Sequence, residues 1–276
     1  MKIAIHQMCS GINPQKNVDN MVRAISTSAK TGAHFYCAPE MSIMLDRDRS
    51  RAPHKISLEN DSEALKILQA AAADVGIWVH LGSMPVRLDP GSLFFANRTI
   101  VIDDKGTICA RYDKMHLFDV ELSTGESWRE SSVYKAGEFP VMLETPLGAI
   151  GLSICYDIRF PDLFSTLAKA GASVLAVPAA FTVPTGKAHW HILLRARAIE
   201  AEAYVIAAAQ SGHHEDGRST YGHSLVIDPW GDVLLDMGEG EGLGFADLDL
   251  ARIAEVRSQI PVHSNRRDIP CEVKWY

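Results

Sequence analysis

A mixed α/β fold, with two sheets packed between outer helical layers, follows from three features of the sequence. Between residues 2 and 85, short apolar runs alternate with amphipathic helical segments in the order strand, helix, strand, helix, strand. That is the pattern of sheets with helical crossovers. The turn Asp103-Asp104-Lys105-Gly106 separates two further apolar runs and is a strong hairpin signal, so antiparallel pairs join the parallel ones. The strand–helix order then repeats from 148 to 248. The predicted class is α/β, a four-layer α-β-β-α sandwich with two mixed sheets, in one domain over 1–276.

Each element has its own signal. Ile3, Ile5 and Gln7 share one face of a first strand. Val18, Met21, Val22 and Ile25 recur at helical spacing, and Gly32 ends that helix. Residues 33–38 read as a second strand closed by Pro39-Glu40. A carboxylate there stands at the carboxyl end of a strand, where open α/β sheets form ligand crevices. The stretch 42–58 is polar and Arg-rich; a helix is expected over 60–75, with Asn60 as its cap and Glu63 three residues on. A strand over 77–85 and the hairpin strands 94–102 and 107–112 follow.

The segment 113–138 carries Lys114, His116, Asp119, Glu121, Glu126, Arg129 and Glu130 with little periodicity. A run of that length without pattern is functional or disordered. Beyond it come a strand over 173–178, a loop over 179–186 and a helix over 187–203 with Trp190, Leu193, Leu194 and Ala198 on one face. Strands over 204–209 and 221–227 flank a polar loop at 213–219, and Asp228-Pro229-Trp230-Gly231 turns into the last strands, 232–235 and 244–248. The tail 260–276 mixes proline, arginine and aromatics without a clear element and is expected to lie at a subunit interface.

Composition narrows the class. With 47% hydrophobic and 22% charged residues in 276, the chain buries a sizeable core. A net charge of −7 argues against nucleic acid as partner. No stretch has eighteen consecutive apolar residues, so no membrane span is expected. Five widely spaced cysteines and the absence of a leader pattern before Ile3 suggest a cytoplasmic protein without a disulfide framework. Eleven histidines include no His-x-x-x-His pair. His189 and His191 fall on different helix faces and His213-His214 in a polar loop, so all four are expected to be solvated, and neither metal nor cofactor is expected.

The chemistry centres on residues 148–162. An apolar strand signal runs from Ala149 to Ile154 and stops at Cys155, and Phe160-Pro161-Asp162 opens a helix. A cysteine on such a turn has its thiol pushed out of the sheet edge, beside backbone N–H groups that favour a thiolate or an oxyanion. The alternative is a small, inert buried cysteine. A thiol nucleophile also needs a base and a cation or N–H pair for the oxyanion. Glu40 and Lys114, both at strand ends, supply that set without histidine, unless Glu40 only caps a turn and Lys114 is a solvated strand end.

Three segments, Pro39-Glu40, Tyr112-Asp113-Lys114-Met115-His116-Leu117-Phe118-Asp119 and Ser153-Ile154-Cys155-Tyr156-Asp157-Ile158-Arg159-Phe160-Pro161, resemble in order and spacing the motifs of the nitrilase (carbon–nitrogen hydrolase) superfamily. The likeness covers nearly the whole chain. The segments 181–190, 194–200 and 221–231 look like its Nit branch. Met41 departs from many members but leaves the glutamate in place. The resemblance implies Cys155 as nucleophile and Glu40 as general base. It implies Lys114 and the backbone N–H of Tyr156 as oxyanion hole. The family's second glutamate, sixteen residues after the lysine, falls on Glu130 and would orient Lys114 and substrate.

The same resemblance implies a homodimeric, cofactor-free amidase that cleaves a small carboxylate-bearing amide to acid and ammonia through a cysteine thioester. Deaminated glutathione is the favoured substrate, with α-ketoglutaramate or an N-carbamoyl amino acid as alternatives. A catalytically silent scaffold is the non-enzymatic alternative; a redox-sensing thiol would need a resolving cysteine, and none lies near Cys155 in sequence. Arg159, four residues past Cys155, is expected to pair with a substrate carboxylate, and Thr182 to line the same pocket. A surface ion pair and a loop hydroxyl are the respective alternatives.

Overall fold

The computed structural model describes residues 1–121, 125 and 127–275; Glu126 of the charged segment and Tyr276 of the tail lie outside them. In chain order the elements are β1 (Lys2–Gln7), α1 (Pro14–Lys30), β2 (Phe35–Cys37), α2 (Glu63–Val75), β3 (Trp78–His80), β4 (Met84–Arg87), β5 (Phe95–Ile102) and β6 (Ile108–Asp113). A small hairpin follows, β7 (Asp119–Glu121) and β8 (Ser127–Arg129). The second half contains β9 (Met142–Thr145), β10 (Gly148–Leu152), α3 (Pro161–Lys169), β11 (Val174–Ala176), α4 (Val183–Ala201) and β12 (Tyr204–Ala207). It ends with β13 (Ser211–His213), β14 (Ser219–Tyr221), β15 (Leu225–Ile227), β16 (Val233–Asp236), β17 (Gly242–Asp247), α5 (Ala251–Gln259) and α6 (Val262–Asn265).

Two mixed sheets result. One runs β17-β1-β2-β3-β5-β4, with β6 also on β5; the other runs β16-β15-β12-β11-β10-β9. In each, the parallel strands (β1-β2-β3 and β10-β11-β12) lie at the centre, with antiparallel strands outside. Strand alternation sorts the faces. Ile3, Ile5, Phe35 and Cys37 join a cluster with Leu152, Val205 and Leu225 of the second sheet. Ala4 and Tyr36, pointing the other way, pack with Met21 and Ile25 of α1 and Leu65 and Leu68 of α2. The two sheets therefore share one core, and α1 and α2 cover the outer face of the first. Leu163 and Phe164 of α3 and Trp190 and Leu194 of α4 pack with the second sheet.

Several boundaries differ from expectation. Helix α2 starts at Glu63, because the Ser62 hydroxyl accepts the Leu65 N–H at 3.2 Å; Asn60 lies in the preceding 3₁₀ turn. Helix α4 starts at Val183, with Pro184 in its first turn. The strand expected over 77–85 is broken at Gly82 (φ +76), where a Cβ would collide with the Pro39 carbonyl, so the chain after β3 packs directly under the turn that holds Glu40. The polar loop at 213–219 is the tip of the β13–β14 hairpin. Within it His214 is buried rather than solvated, bonded to Ser10 O and Thr220 Oγ1. The segment 113–138 contains β7, β8 and a 3₁₀ turn at Glu130–Ser132, and β9 and α5 had no clear sequence signal.

Three buried histidines, His6, His80 and His214, give the fold an acid limit, each held below its ordinary value first by burial. Burial lowers His6 and His80 from the ordinary 6.5 to about 4. As pH falls below 6.5 the unfolded chain takes up these protons first, so stability present above that value is lost on the way to about 4. The urea midpoint is expected to fall between pH 6.5 and 4.5. His80→Asn, whose amide oxygen can still accept the Gly82 N–H that His80 Nδ1 accepts at 3.1 Å, is expected to flatten that slope.

Candidate active site

Three strand ends deliver the candidate groups to one place. Glu40 follows β2 in a turn whose next residue, Met41, is left-handed (φ +56). Lys114 follows β6 directly. Cys155 comes three residues after Leu152, the last of β10, and opens the 3₁₀ turn Cys155–Arg159 with φ +48. Left-handed backbone at a non-glycine residue is strained and persists where the surroundings impose it. Here the imposing group is Asp157, fully buried, which accepts from Ile154 N–H (2.8 Å), Tyr112 Oη (2.7 Å) and His116 N–H (3.0 Å) and lies 2.7 Å from His116 Nδ1. It ties the cysteine turn to the segment that carries Lys114. The His116 ring lies flat against Phe160, with centroids 3.7 Å apart.

Lys114, 2% exposed, donates to Glu40 Oε1 at 2.8 Å and to Glu130 Oε2 at 2.9 Å. Asn97 of β5, completely buried, bridges the same two carboxylates at 2.9 and 3.2 Å. Glu40 Oε2 accepts the Ala180 N–H at 2.9 Å, and Glu130 Oε2 also accepts the Phe118 N–H at 2.7 Å. Burial alone would raise Glu40, but the Lys114 charge and hydrogen bonds from Lys114, Cys155 and Asn97 outweigh it and hold the carboxyl below its usual range. Burial likewise opposes the charge on Lys114, yet Glu130, Glu40 and Cys155 keep its ammonium well above the ordinary value. The Cys155 thiol is pushed well up, first by burial and then by the Glu40 charge, against the pull of Lys114 and the Ala180 N–H. The resting set is therefore carboxylate, ammonium and neutral thiol.

These groups line a cavity of about 580 Å³ together with Arg47, Arg87, Trp128, Arg159, Thr182 and Arg218. The carbon-nitrogen hydrolase family profile matches residues 2–258. This chain is a carbon–nitrogen hydrolase. It is 38% identical over 277 residues to the deaminated glutathione amidase of Dictyostelium discoideum, covering 96% of this chain and 94% of that one. To that of Mus musculus it is 40% identical over 273 residues, covering 96% and 83%. Among solved structures, the Caenorhabditis elegans NitFhit protein superposes with a TM-score of 0.89 at 37% identity, covering 96% of this chain and 65% of that longer one. The amidase of Nesterenkonia sp. AN1 gives 0.79 at 27% identity, covering 96% and 99%; in a glutamate-to-glutamine variant of that enzyme, acrylamide has added to the active-site cysteine. The reaction class of this carbon–nitrogen hydrolase is hydrolysis of an amide bond other than a peptide bond.

The fold of the hydrolase brings the candidate site residues to one cavity. Glu40, Lys114, Glu130 and Cys155 form one cluster, and Arg159 and Thr182 line the same cavity. Arg159 makes no surface ion pair among the described residues. Its guanidinium lies 3.2 Å from His189 Nδ1 and over the rings of Phe181 and Tyr156. Thr182 is the cap residue of α4 and bonds Thr185 Oγ1 at 2.7 Å. Sequence reasoning missed Asn97 and the bridging role of Asp157. A signal for Asn97 exists: Phe95, Asn97, Thr99 and Val101 share a strand face, and all four are buried, so an amide on that face needs polar partners inside the protein.

Proposed function

We propose that Cys155, Glu40, Lys114 and Glu130 catalyse hydrolysis of a carboxylate-bearing amide, with deaminated glutathione as the substrate. The observation that carries this reading is the junction of the Glu40–Lys114–Cys155 cluster with a cavity of about 580 Å³ rich in guanidinium groups. That volume is in the range of drug-sized ligands. A tripeptide-like acid with two carboxylates fits it better than a five-carbon ω-amide, and the relatives named deaminated glutathione amidase agree with this choice. The guanidinium groups of Arg159 and Arg47 have no carboxylate partner among the described residues and are suited to the substrate's acid groups.

A neutral thiol beside a carboxylate of lowered pKa does not ionise in advance, so proton transfer to Glu40 accompanies attack of Sγ on the amide carbon. The oxyanion is received by Lys114 Nζ and by the Tyr156 N–H, a first-turn donor of the kind that helices leave free. Glu40 returns the proton to the departing nitrogen as the C–N bond breaks, leaving a thioester. Glu40 then takes a proton from water as hydroxide attacks the thioester carbon, and it returns that proton to the departing Cys155 sulfur as the C–S bond breaks and the acid leaves. With deaminated glutathione the departing group is the amine of cysteinylglycine; with a primary amide it is ammonia. Glu130 orients Lys114 throughout.

The test is product release from deaminated glutathione, α-ketoglutaramate and an N-carbamoyl amino acid, with Cys155→Ala alongside. Rapid release of cysteinylglycine from the first, lost in the variant, is the expected outcome. Preference for another substrate keeps the chemistry and overturns the substrate. No turnover of any, and no covalent adduct on intact mass, would favour a silent scaffold.

We also infer a cytoplasmic homodimer. All five cysteines are unpaired, and no helix among the described residues is long and apolar enough to cross a membrane. Ile192 on α4 is 70% exposed, and Ile199, Trp230, Val233 and Leu234 are exposed apolar residues of the same half of the chain. The tail adds Ile269, Val273 and Trp275, the last 91% exposed, as expected of a segment that packs on a partner. Ile192→Asp with Leu234→Asp is expected to shift sedimentation from dimer to monomer. A wild-type monomer at micromolar concentration would refute the dimer.

A further inference from the structure

Outside the catalytic cavity, three side chains from three separate elements converge on one point. His191 lies on α4, His223 in the turn between β14 and β15, and Asp236 at the end of β16. Their donor atoms all lie within 4.8 Å of one another. His191 Nε2 is 3.0 Å from Asp236 Oδ2, and His223 Nδ1 is 2.9 Å from Asp236 Oδ1. Ligands held about 2.1 Å from one metal ion are themselves roughly 3.0–3.4 Å apart, so a shift of a few tenths of an ångström brings the carboxylate and both imidazoles to coordination spacing. Among the described residues no lysine or arginine pairs with Asp236; its ion-pair partners are the two imidazoles.

The supports of the site are built in as well. His223 holds a left-handed backbone (φ +52), its N–H donating to Gly238 O and its carbonyl accepting from Trp190 Nε1, each at 2.7 Å. The Tyr221 ring stacks on His223 with centroids 4.4 Å apart. The Gly238 N–H donates to Asp236 Oδ1 at 2.9 Å, fixing the carboxylate. Such outer partners orient metal ligands and set their affinity.

We propose that His191, His223 and Asp236 form a binding site for one first-row divalent ion of the Zn²⁺, Co²⁺ or Ni²⁺ kind, which clamps α4 to β16. Two imidazoles and one carboxylate suit these ions, whereas Mg²⁺ and Ca²⁺ take oxygen ligands. Three protein ligands leave a fourth position for water. A ligating imidazole carries its proton on the nitrogen away from the metal, so coordination through His191 Nε2 and His223 Nδ1 places the protons on His191 Nδ1 and His223 Nε2.

Cobalt titration of the full chain, followed optically and by thermal melting, tests the site. Cobalt held by nitrogen and oxygen gives visible bands without the intense near-ultraviolet thiolate absorption that binding at a cysteine would add. Wild type and Cys155→Ala are each expected to take up one Co²⁺ with a rise in Tm. Asp236→Asn and His191→Gln are expected to lose about tenfold or more in affinity and the rise in Tm, while their metal-free amidase activity is unchanged. Two independent variants guard against one that folds poorly. Equal affinity in both variants, a thiolate-dominated spectrum, or no binding by wild type would overturn the site.

Discussion

Lys114→Met is expected to lower kcat by about 10³-fold or more and to destabilise the protein at the same time. One lost oxyanion donor accounts for about 10²–10³ of the rate. The remainder comes from the carboxylates that Lys114 now separates. Glu40 and Glu130 both accept from its Nζ, at 2.8 and 2.9 Å, and in the variant two carboxylates face each other in a buried site with only Asn97 between them. Removing one member of a buried ion set costs about 3–5 kcal/mol because the uncompensated charge stays buried. Part of that is relieved by protonation: without the ammonium, Glu40 loses the attraction that holds its carboxyl low and becomes a poorer source of carboxylate for proton transfer. The urea midpoint of the variant should therefore improve at mildly acid pH, opposite to wild type. Turnover within tenfold of wild type would remove Lys114 from the mechanism.

The proposed catalytic set was legible because each of its three core members ends an apolar run. Glu40 closes the run 33–38, Lys114 follows a hairpin strand and Cys155 halts the run after Ala149, so local patterning alone places all three at sheet ends. Glu130 had no such local mark. It sits in a charged segment and was reached only through the spacing that the family resemblance supplied. Asn97 escaped because polar residues inside a strand look alike until the facing layer is known. The start of α4 escaped because Gly186 reads as a breaker. In the fold the position instead accommodates the Tyr221 ring, with which any Cβ there would collide. The histidine cluster had no periodic signal at all. His191, His223 and Asp236 lie on three separate elements, which only the tertiary packing of α4 against the second sheet brings together.

Glu40→Gln separates the two duties assigned to that carboxylate. The amide keeps the shape of the side chain but cannot take up a proton, and kcat is expected to fall by about 10²–10⁴-fold. The hydrogen bonds add a smaller penalty. Oε1 accepts from Asn97 and Lys114 and Oε2 from the Ala180 N–H, so whichever oxygen becomes NH₂ meets a donor. The thiol should respond in the opposite direction. The Glu40 charge is one of the causes that push Cys155 up, whereas Lys114 pulls it down, so removing the carboxylate leaves Lys114 to favour thiolate. Alkylation of Cys155 by iodoacetamide should then set in at lower pH than in wild type while amide turnover nearly stops. Wild-type kcat should keep its acid limb below the ordinary glutamate value of 4.5, because the folded carboxyl is lowered. A thiol that ionises more readily yet hydrolyses almost nothing distinguishes a missing proton acceptor from a damaged nucleophile. If the alkylation midpoint stays where it is in wild type, Glu40 does not face the sulfur; if turnover survives within tenfold, another group carries the proton.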